Sequence, residues 1–359
     1  MRVYLIKLKF NTAVHFGDDQ ATPDKSLSNI TMRADSFYSA LLIESLKNGG
    51  EEQLRETHQI FCNGALISDL MPYYEDNYFI PKPILHFYSD PKTKKQNQET
   101  NQETNQEDQK QKDKFGKKLK SLKYININSL DDYLRQGQGG GQYNPEKDQE
   151  MLDKIGKNQT RVMMCLETVE GNRQIRLENP MPYFYGVFSF AENSGLYLLL
   201  KIDKKEDFDL IKSLIYSLGH SGIGGKVSCG LGKYEIQDCF EIAKEDKLKM
   251  FDEHLDYKKY PSFMTLSVCF PKQDELKQAH ENANYMLLKR SGFVQSAKYS
   301  DTLVKKKDMY VFAPGSTFKY GFKGDIFDVS KDGNHEVYRY LKPFFIGVKY
   351  EKKQNDTRV

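Results

Sequence analysis

Six of the fourteen residues from Gly219 to Gly232 are glycine, in the run Gly219-His220-Ser221-Gly222-Ile223-Gly224-Gly225-Lys226-Val227-Ser228-Cys229-Gly230-Leu231-Gly232-Lys233. Glycine has no Cβ, so such a stretch reaches left-handed backbone conformations and lets two backbones approach closely. It also weakens any helix or strand that runs through it. A helix must therefore end before the run and a new element begin after it. The flanking residues agree: Asp207 to Leu218 carries apolar residues at helical spacing, and Tyr234 to Phe240 alternates as a strand. Gly195 to Ile202, ahead of the helix, reads as a buried strand.

The N-terminus shows the same order. Residues 2–10 alternate as a strand. Asp35-Ser36-Phe37-Tyr38-Ser39-Ala40-Leu41-Leu42-Ile43-Glu44-Ser45-Leu46-Lys47 then repeats apolar side chains at helical spacing, with Asp35 as the expected N-cap and Gly49-Gly50 as the expected stop. Strand and helix followed by strand, helix and strand point to an α+β chain whose first half is a ferredoxin-like sheet with helices on one face. The pattern restarts at Pro261. Phe263 to Phe270, Ser291 to Lys298, Met309 to Phe312, Ser316 to Phe322 and Val337 to Val348 are strand-like, and Asp274 to Leu288 is helical. Two ferredoxin-like (RRM-like) domains follow as the expectation, over 1–245 and 258–350, with a flexible tail over 351–359.

Residues 92–145 differ in composition. They hold the tandem NQET, NQET, NQED from Asn97 to Asp108, a lysine-rich run around Lys110 to Lys123, and Gly137-Gln138-Gly139-Gly140-Gly141. So few apolar groups cannot offset the entropy of ordering. The segment is expected to be a long disordered insertion with a short ordered piece near Leu119 to Leu134. It carries 11 Lys and Arg against 7 Asp and Glu, while the rest of the chain carries 42 against 43. With a net charge of only +3, an RNA-binding surface has to be a local patch on a nearly neutral body. The lysines of the insertion fit a solvated loop better than an RNA contact.

At 359 residues and 38% hydrophobic content the chain can bury one large core or two modest ones. No apolar run reaches the length of a membrane span, and Met1 to Lys7 alternates like a strand instead of forming a signal-peptide core. A cytoplasmic location without membrane contact is expected. Cys62, Cys165, Cys229, Cys239 and Cys269 are scattered, with no CxxC pair and no His at ligand spacing. They read as reduced, mostly buried thiols, and neither a metal site nor a cofactor is implied.

The glycine-rich run is not a nucleotide-binding P-loop, because His220 stands where the first glycine belongs and Val227 where Ser or Thr belongs. Nor is it a dinucleotide fingerprint, since Val227 again replaces the last glycine. On its own it fits a plain loop as well as a cradle of backbone N–H groups for an anion. No HD pair and no GGDD-like acidic turn is present, so metal-dependent nuclease or cyclase chemistry is not expected of this chain. Asp35 fits a helix cap better than a catalytic carboxylate, and Arg33 fits a phosphate contact or a structural ion pair equally. Aromatic clusters such as Tyr183-Phe184-Tyr185 and Phe344-Phe345 read as core or interface.

The segment GIGGKVSCGLGKY resembles the glycine-rich loop of the RAMP superfamily, the RNA-binding proteins of CRISPR systems. Asn11-Thr12-Ala13-Val14-His15-Phe16-Gly17, Arg33 to Leu41, Arg290-Ser291-Gly292-Phe293-Val294 and Lys307 to Ser316 sharpen the likeness to the RAMP subunit that caps the guide RNA in type III-A (Csm) interference complexes. Gly324 to Val329 and Tyr338 to Phe344 are similar to the same subunit. The resemblance implies paired ferredoxin-like domains, recognition of the repeat-derived 5′ tag of a guide (CRISPR) RNA, and contact with a large polymerase-like subunit and a RAMP backbone subunit. It implies no catalysis. The RNA-binding residues it points to are Ser221, Gly222, Gly224, Gly225, Lys226, Ser228, Gly230 and Lys233 in the loop, with His15, Arg33, Arg290 and Ser291. RAMP endoribonucleases that process precursor RNA often use a histidine, so His15, with Asp18 and Asp19 nearby, is the alternative catalytic reading. The lack of a partner in a recognisable arrangement favours a histidine that closes a turn.

Overall fold

The computed structural model describes residues 1–17, 27–85, 116–141, 143–170, 173–296 and 298–350, with side chains left aside at 166–170 and 173–179. In chain order the first half contains β1 (Arg2–Phe10), α1 (Ala34–Cys62), β2 (Leu66–Ile67), β3 (Met71–Tyr74), β4 (Asn77–Pro81), α2 (116–121) and β5 (Tyr124–Asn126). It continues through α3 (Leu130–Gly137), α4 (Pro145–Asp153), β6 (Gly156–Glu170), β7 (Arg173–Phe190), β8 (Ser194–Ile202), α5 (Lys205–Ser221) and β9 (Tyr234–Glu241). The main sheet is antiparallel in the order β5-β4-β3-β8-β1-β9, with β2 added beside β8.

Both faces of this sheet are buried, which explains why β8 reads as one apolar run instead of an alternating one. Ile6, Leu8, Leu198 and Leu200 face the core under α1 and α5, together with Phe37, Leu41, Leu214 and Leu218. Leu5, Tyr197 and Leu199 face a second core with Met264, Leu266, Ile346 and Val348 from the C-terminal half. The two halves of the chain therefore share one core across the sheet.

The ends of α1 differ from expectation. Arg33, not Asp35, occupies the N-cap position, and the Ala34 N–H donates to Asp69 Oδ1 at 2.8 Å, so a carboxylate from outside the helix does the capping. Gly49 and Gly50 break the helical backbone, but the helix resumes and runs to Cys62. The kink is bridged by the Ser45 and Thr57 hydroxyls, 2.8 Å apart, and the far half packs Ile60 and Phe61 into the core.

A long ribbon, β6 paired with β7, rises from the sheet and is tied at its base by Val14, which exchanges two backbone hydrogen bonds of 2.8 Å with Phe188. Val162 and Phe184 form a cross-strand pair and are both exposed.

Of the region expected to be a disordered insertion, residues 116–141 and 143–145 are described, and they pack over more than the expected piece near Leu119 to Leu134. β5 pairs with β4, Ile125 opposite Ile80, and Leu122, Ile127, Leu130, Tyr133, Leu134 and Tyr143 are buried in the second core. The low-complexity composition of 92–145 as a whole hides this short stretch of strand and helix spacing. Asp148 anchors it from below: burial raises its pKa, and it accepts hydrogen bonds from the Tyr143 hydroxyl at 2.8 Å and the Asn126 N–H at 3.1 Å. The NQET tandem and the tail over 351–359 lie outside the described residues.

The C-terminal half adds a helix α6 (Lys249–Leu255), β10 (Ser262–Thr265), α7 (Leu276–His280), β11 (Leu287–Arg290), β12 (Met309–Phe312), β13 (Thr317–Phe318), β14 (Ile326–Asp328), β15 (Tyr338–Tyr340) and β16 (Phe345–Val348). These form small sheets, β13-β10-β16, β11-β12 and β14-β15. Several expected elements are shorter. The strand begun at Phe263 ends at Thr265, and that over Ser316 to Phe322 keeps only Thr317 and Phe318. The helix expected to Leu288 stops at His280, where Glu281 turns extended with ψ 118° and Asn282 then takes a left-handed φ of 54°, and Leu287 and Leu288 join β11 instead. Among the described residues of Ser291 to Lys298 there is no strand beyond a bridge between Phe293 and Lys305. Val337 to Val348 splits around Pro343, which has no N–H to give a ladder.

Among the described residues no helix is long and apolar enough to cross a membrane. All five cysteines are free thiols, but only Cys269 is buried, and Cys62 and Cys229 are exposed.

Ile125→Ala should lower the unfolding free energy in urea by about 2–4 kcal/mol, the usual loss for truncating a fully buried aliphatic side chain. A loss under about 0.5 kcal/mol, typical of surface positions, would return residues 116–145 to the status of a dispensable insertion.

Candidate nucleic-acid interface

The glycine-rich loop and the segment from Asn11 to Phe16 are built against each other. The Gly225 N–H donates to His15 O at 2.8 Å, the Gly232 N–H to Ala13 O at 2.9 Å, and the Lys233 N–H to Thr12 Oγ1 at 2.9 Å. Gly224 makes this approach possible, with φ +91° and a Cβ there lying 2.7 Å from His15 O, while Gly232, with φ +76° and a Cβ there lying 2.0 Å from Ile223 O, lets the loop close on itself. Two motifs far apart in sequence are therefore one structural unit, and the glycines serve its backbone contacts first.

Lys226 is a non-glycine residue with φ 60°, and it opens the short 3-10 turn Val227–Cys229 at the head of the loop. Its ammonium donates to the Tyr183 hydroxyl at 2.7 Å and sits 4.8 Å from the Tyr183 ring and 5.7 Å from that of Tyr185. The Tyr183 hydrogen bond raises the Lys226 pKa. The charge is thus permanent and positioned, with the ribbon β6-β7 as its support. Ser228 is exposed beside it.

His15 lies behind the loop. Its Nδ1 donates to Gly186 O at 2.6 Å, and its ring meets Tyr185 edge-on at 6.1 Å. Asp18 and Asp19 lie outside the described residues.

The opposite wall comes from the start of α1 and the C-terminal half. Arg290 grips Asp35 with both prongs, Nε to Oδ2 at 3.0 Å and a terminal nitrogen to Oδ1 at 2.8 Å, and also reaches Ser36 Oγ at 2.9 Å. Arg339 is 3.8 Å from the same carboxylate and donates to the backbone carbonyls of Arg290 and Lys307. Burial disfavours charge on Asp35, but the Arg290 guanidinium and then Arg339 outweigh it and hold its pKa below the ordinary value. Arg33 pairs with Asp69 at 3.0 Å, where burial nevertheless raises the carboxyl pKa. Asp69 also accepts the N–H of Val268, so one buried carboxylate ties α1 to both halves.

Between the walls lies a cleft of about 680 Å³. Of the residues singled out from sequence, Arg33, Gly222, Gly224, Gly225, Lys226, Ser228, Arg290 and Ser291 line it. His15, Ser221, Gly230 and Lys233 do not. The Ser221 hydroxyl donates to Glu44 Oε2 at 2.8 Å, and Lys233 borders a neighbouring hollow with Asn11 and Thr12. Lys47, Lys306 and Arg339 also line the cleft and were missed by the sequence reading. Arg339 lay within a segment used for the family likeness, and Lys306 within the basic run Lys305-Lys306-Lys307, but neither spacing announced a role. Among the described residues six cations line the cleft with two carboxylates, Asp35 and Glu44, and even with Asp69 behind Arg33 counted the positive charge is in excess. Among the described residues no group of three His, Cys, Asp or Glu side chains is placed to hold a metal ion.

The family description "CRISPR Csm4 C-terminal domain" matches residues 258–348. A Csm4 protein of Mycobacterium tuberculosis (strain CDC 1551 / Oshkosh) is 30% identical over 334 residues, covering 93% of this chain and 94% of that relative. Csm4 of Streptococcus thermophilus is 31% identical over 333 residues, covering 92% and 94%. The fold is similar to that seen in the crystal structure of a Csm3-Csm4 subcomplex of the type III-A CRISPR-Cas interference complex, with a TM-score of 0.61 at 18% identity over 97% of this chain and 99% of that one. It is also similar to a chain of the Csm1-Csm4 cassette in complex with AMPPNP, with a TM-score of 0.57 at 18% identity over 98% and 100%. Likeness to curated relatives at this identity over almost the whole length places the chain in the Csm4 family.

Proposed function

We propose that this chain is a non-catalytic guide-RNA-binding subunit of a type III-A CRISPR interference complex. It holds the repeat-derived 5′ tag and joins a large polymerase-like subunit to a RAMP backbone subunit, in the cytoplasm. The observation that carries this reading is the cleft, which gathers the glycine-rich loop, Arg33, Arg290 and Ser291 from distant parts of the chain around an excess of positive charge. Phosphate contacts supply position and most of the affinity in nucleic-acid binding, and single-stranded RNA offers its bases to the same surface. The assemblies of Csm4 with Csm3 and with Csm1 support the two protein partners.

The passage from β1 through α1, β3, β8 and α5 to β9, in the sheet order β3-β8-β1-β9, supports the ferredoxin-like reading of the first half. In the second half the strands sit in small separate sheets, and the paired-domain reading rests there on the family resemblance.

Catalysis by His15 finds little support in the geometry. A general acid or base needs a free nitrogen facing the reacting atoms and a partner that orients it. Nδ1 is tied to Gly186 O and Nε2 is left open, but the ring lies behind Gly225 and outside the cleft, and no side chain among the described residues hydrogen-bonds to it.

Two measurements test these statements. In filter binding of tag-bearing RNA to the assembled complex, Lys226→Ala should weaken affinity and reduce the slope of log affinity against log salt by about 0.7, the value for one phosphate contact on a single strand. An unchanged slope removes Lys226 from the interface. His15→Ala, assayed in complexes of matched guide content, should leave every ribonuclease activity within a few-fold of wild type. A drop of about a hundredfold, the size lost with a general acid or base, would overturn the non-catalytic assignment.

A further inference from the structure

Beside the cleft lies a second hollow of about 430 Å³, walled by Leu42, Ile43 and Leu46 of α1 and by the segments around Val294 and Tyr338. Ser39, Ile43, Gln295, Lys306 and Tyr338 line both hollows, so the two open onto each other. Their characters differ. The cleft gathers guanidinium and ammonium groups, whereas the recess has an aliphatic wall, with Leu42 and Val294 buried and Ile43 and Leu46 38% and 39% exposed, and also carries Glu51 paired with Lys298, Arg55, His335 and Glu336 in its lining. Tyr338 is a firm wall of the recess, since its ring stacks on His58 at 4.1 Å.

Lys306 stands where the two meet. Its backbone is fixed by an N–H···O bond of 2.9 Å to Gly292, while its half-buried ammonium makes no hydrogen bond or ion pair among the described residues. Burial, and then the neighbouring Arg339, lower its pKa, and Asp35 opposes them from a distance. A half-buried cation without a direct partner is incompletely compensated, and an anion at the junction would complete it.

We propose that the recess takes one unstacked base of the RNA whose phosphates lie in the cleft, with Lys306 on the phosphate at the junction. The inference rests on the guide-RNA reading of the cleft. RNA is the ligand class that joins a charge at every nucleotide to planar apolar faces. A free phosphate would leave the aliphatic walls bare, and an apolar peptide would leave Lys306 unanswered. Gln295, which lines both hollows and carries a donor and an acceptor on one amide, is the group placed to read a base edge.

The test uses the assembled complex loaded with guides that carry 2-aminopurine at successive tag positions, at matched RNA occupancy. One position should be protected from acrylamide quenching in the wild type, and Ile43→Glu and Leu46→Glu should abolish that protection. Both variants should weaken RNA binding about tenfold, the scale of losing one stacked base, and keep the wild-type salt slope. Lys306→Ala should instead reduce the slope by about 0.7. Both α1 positions are more than a third exposed, so the variants should fold, and thermal unfolding verifies this. RNA that binds with the full salt slope but shows no position responsive to these variants overturns the recess and leaves the cleft assignment standing. Failure of the wild-type complex to bind tag RNA at all would sink both. Loss of a protein subunit from the Ile43→Glu complex, with RNA protection unchanged, assigns the recess to a protein partner and overturns the proposal.

Discussion

The clamp of Arg290 and Arg339 on Asp35 holds the two halves of the chain in the relation that creates the cleft. Asp35 belongs to the first turn of α1, Arg290 ends β11, and Arg339 lies in β15. Each guanidinium is itself pinned: Arg339 donates to the carbonyl of Arg290, and Arg290 reaches Ser36. A buried charge is tolerated only when it is paired and its remaining hydrogen-bonding groups are satisfied, and removing one partner strands the other at a penalty of about 3–5 kcal/mol. Two cations on one carboxylate leave a surplus positive charge, and that surplus faces the cleft. The interaction that docks the halves therefore also polarises the surface between them.

The docking has a second component that is not electrostatic. The main sheet buries both faces, and its far face is covered by β10 and β16 from the C-terminal half and by the segment from residue 122 to 143. Neither half could lose the other without exposing Leu5, Tyr197 and Leu199 to water. Asp69, between β2 and β3, adds direction to this apolar contact, since it accepts N–H groups from Ala34 and Val268 while pairing with Arg33. Apolar burial sets how strongly the halves adhere, and these few polar contacts set the angle at which they do so.

Much of the first half was legible in sequence because its signals are local. The strands Arg2–Phe10, Ser194–Ile202 and Tyr234–Glu241 appear where apolar periodicity placed them, while the helix Lys205–Ser221 runs three residues beyond its expected end at Leu218, through Gly219, and is capped by Gly222. The role of Asp35 was not legible. As an acidic residue just before an apolar-periodic stretch it has the features of a cap, and only a partner 255 residues away shows that it is an ion-pair centre. Asp69, the residue that does cap α1, carries no local mark of it. The segment from Leu122 to Leu134 was expected as a short ordered piece within a disordered insertion, but its place in the core, and the burial of Tyr143 beyond it, were not legible, since averaged composition cannot tell a packed strand and helix from the polar tract before them. In the C-terminal half, strands of two to four residues leave too little pattern for period-two reading, so some elements were drawn too long, Leu287 and Leu288 of β11 were read as helix, and a strand was expected over Ser291 to Lys298 where only a bridge at Phe293 is found among the described residues. Among site residues, the loop glycines and Lys226 were marked by type and spacing, while Lys306 and Arg339 became visible only through the cleft they line.

The arrangement of cations limits what this surface can do alone. Arg33, Arg290 and Arg339 are engaged by Asp69 and Asp35, Lys47 by Glu44, and Lys226 by Tyr183. Held this way, their side chains need little further ordering when an anion arrives, which favours a defined path for a backbone over sheer attraction. Each counterion-releasing contact changes affinity by a modest factor, and tight binding at physiological salt takes many of them. Among the described residues this cleft offers only a handful, on a chain of net charge +3. On the proposed guide-RNA reading, such a surface fixes the course and register of one short stretch of RNA, and the bulk of the affinity comes from neighbouring subunits along the same strand. On that reading the subunit adds position to an assembly through the shape of its cleft more than through its charge.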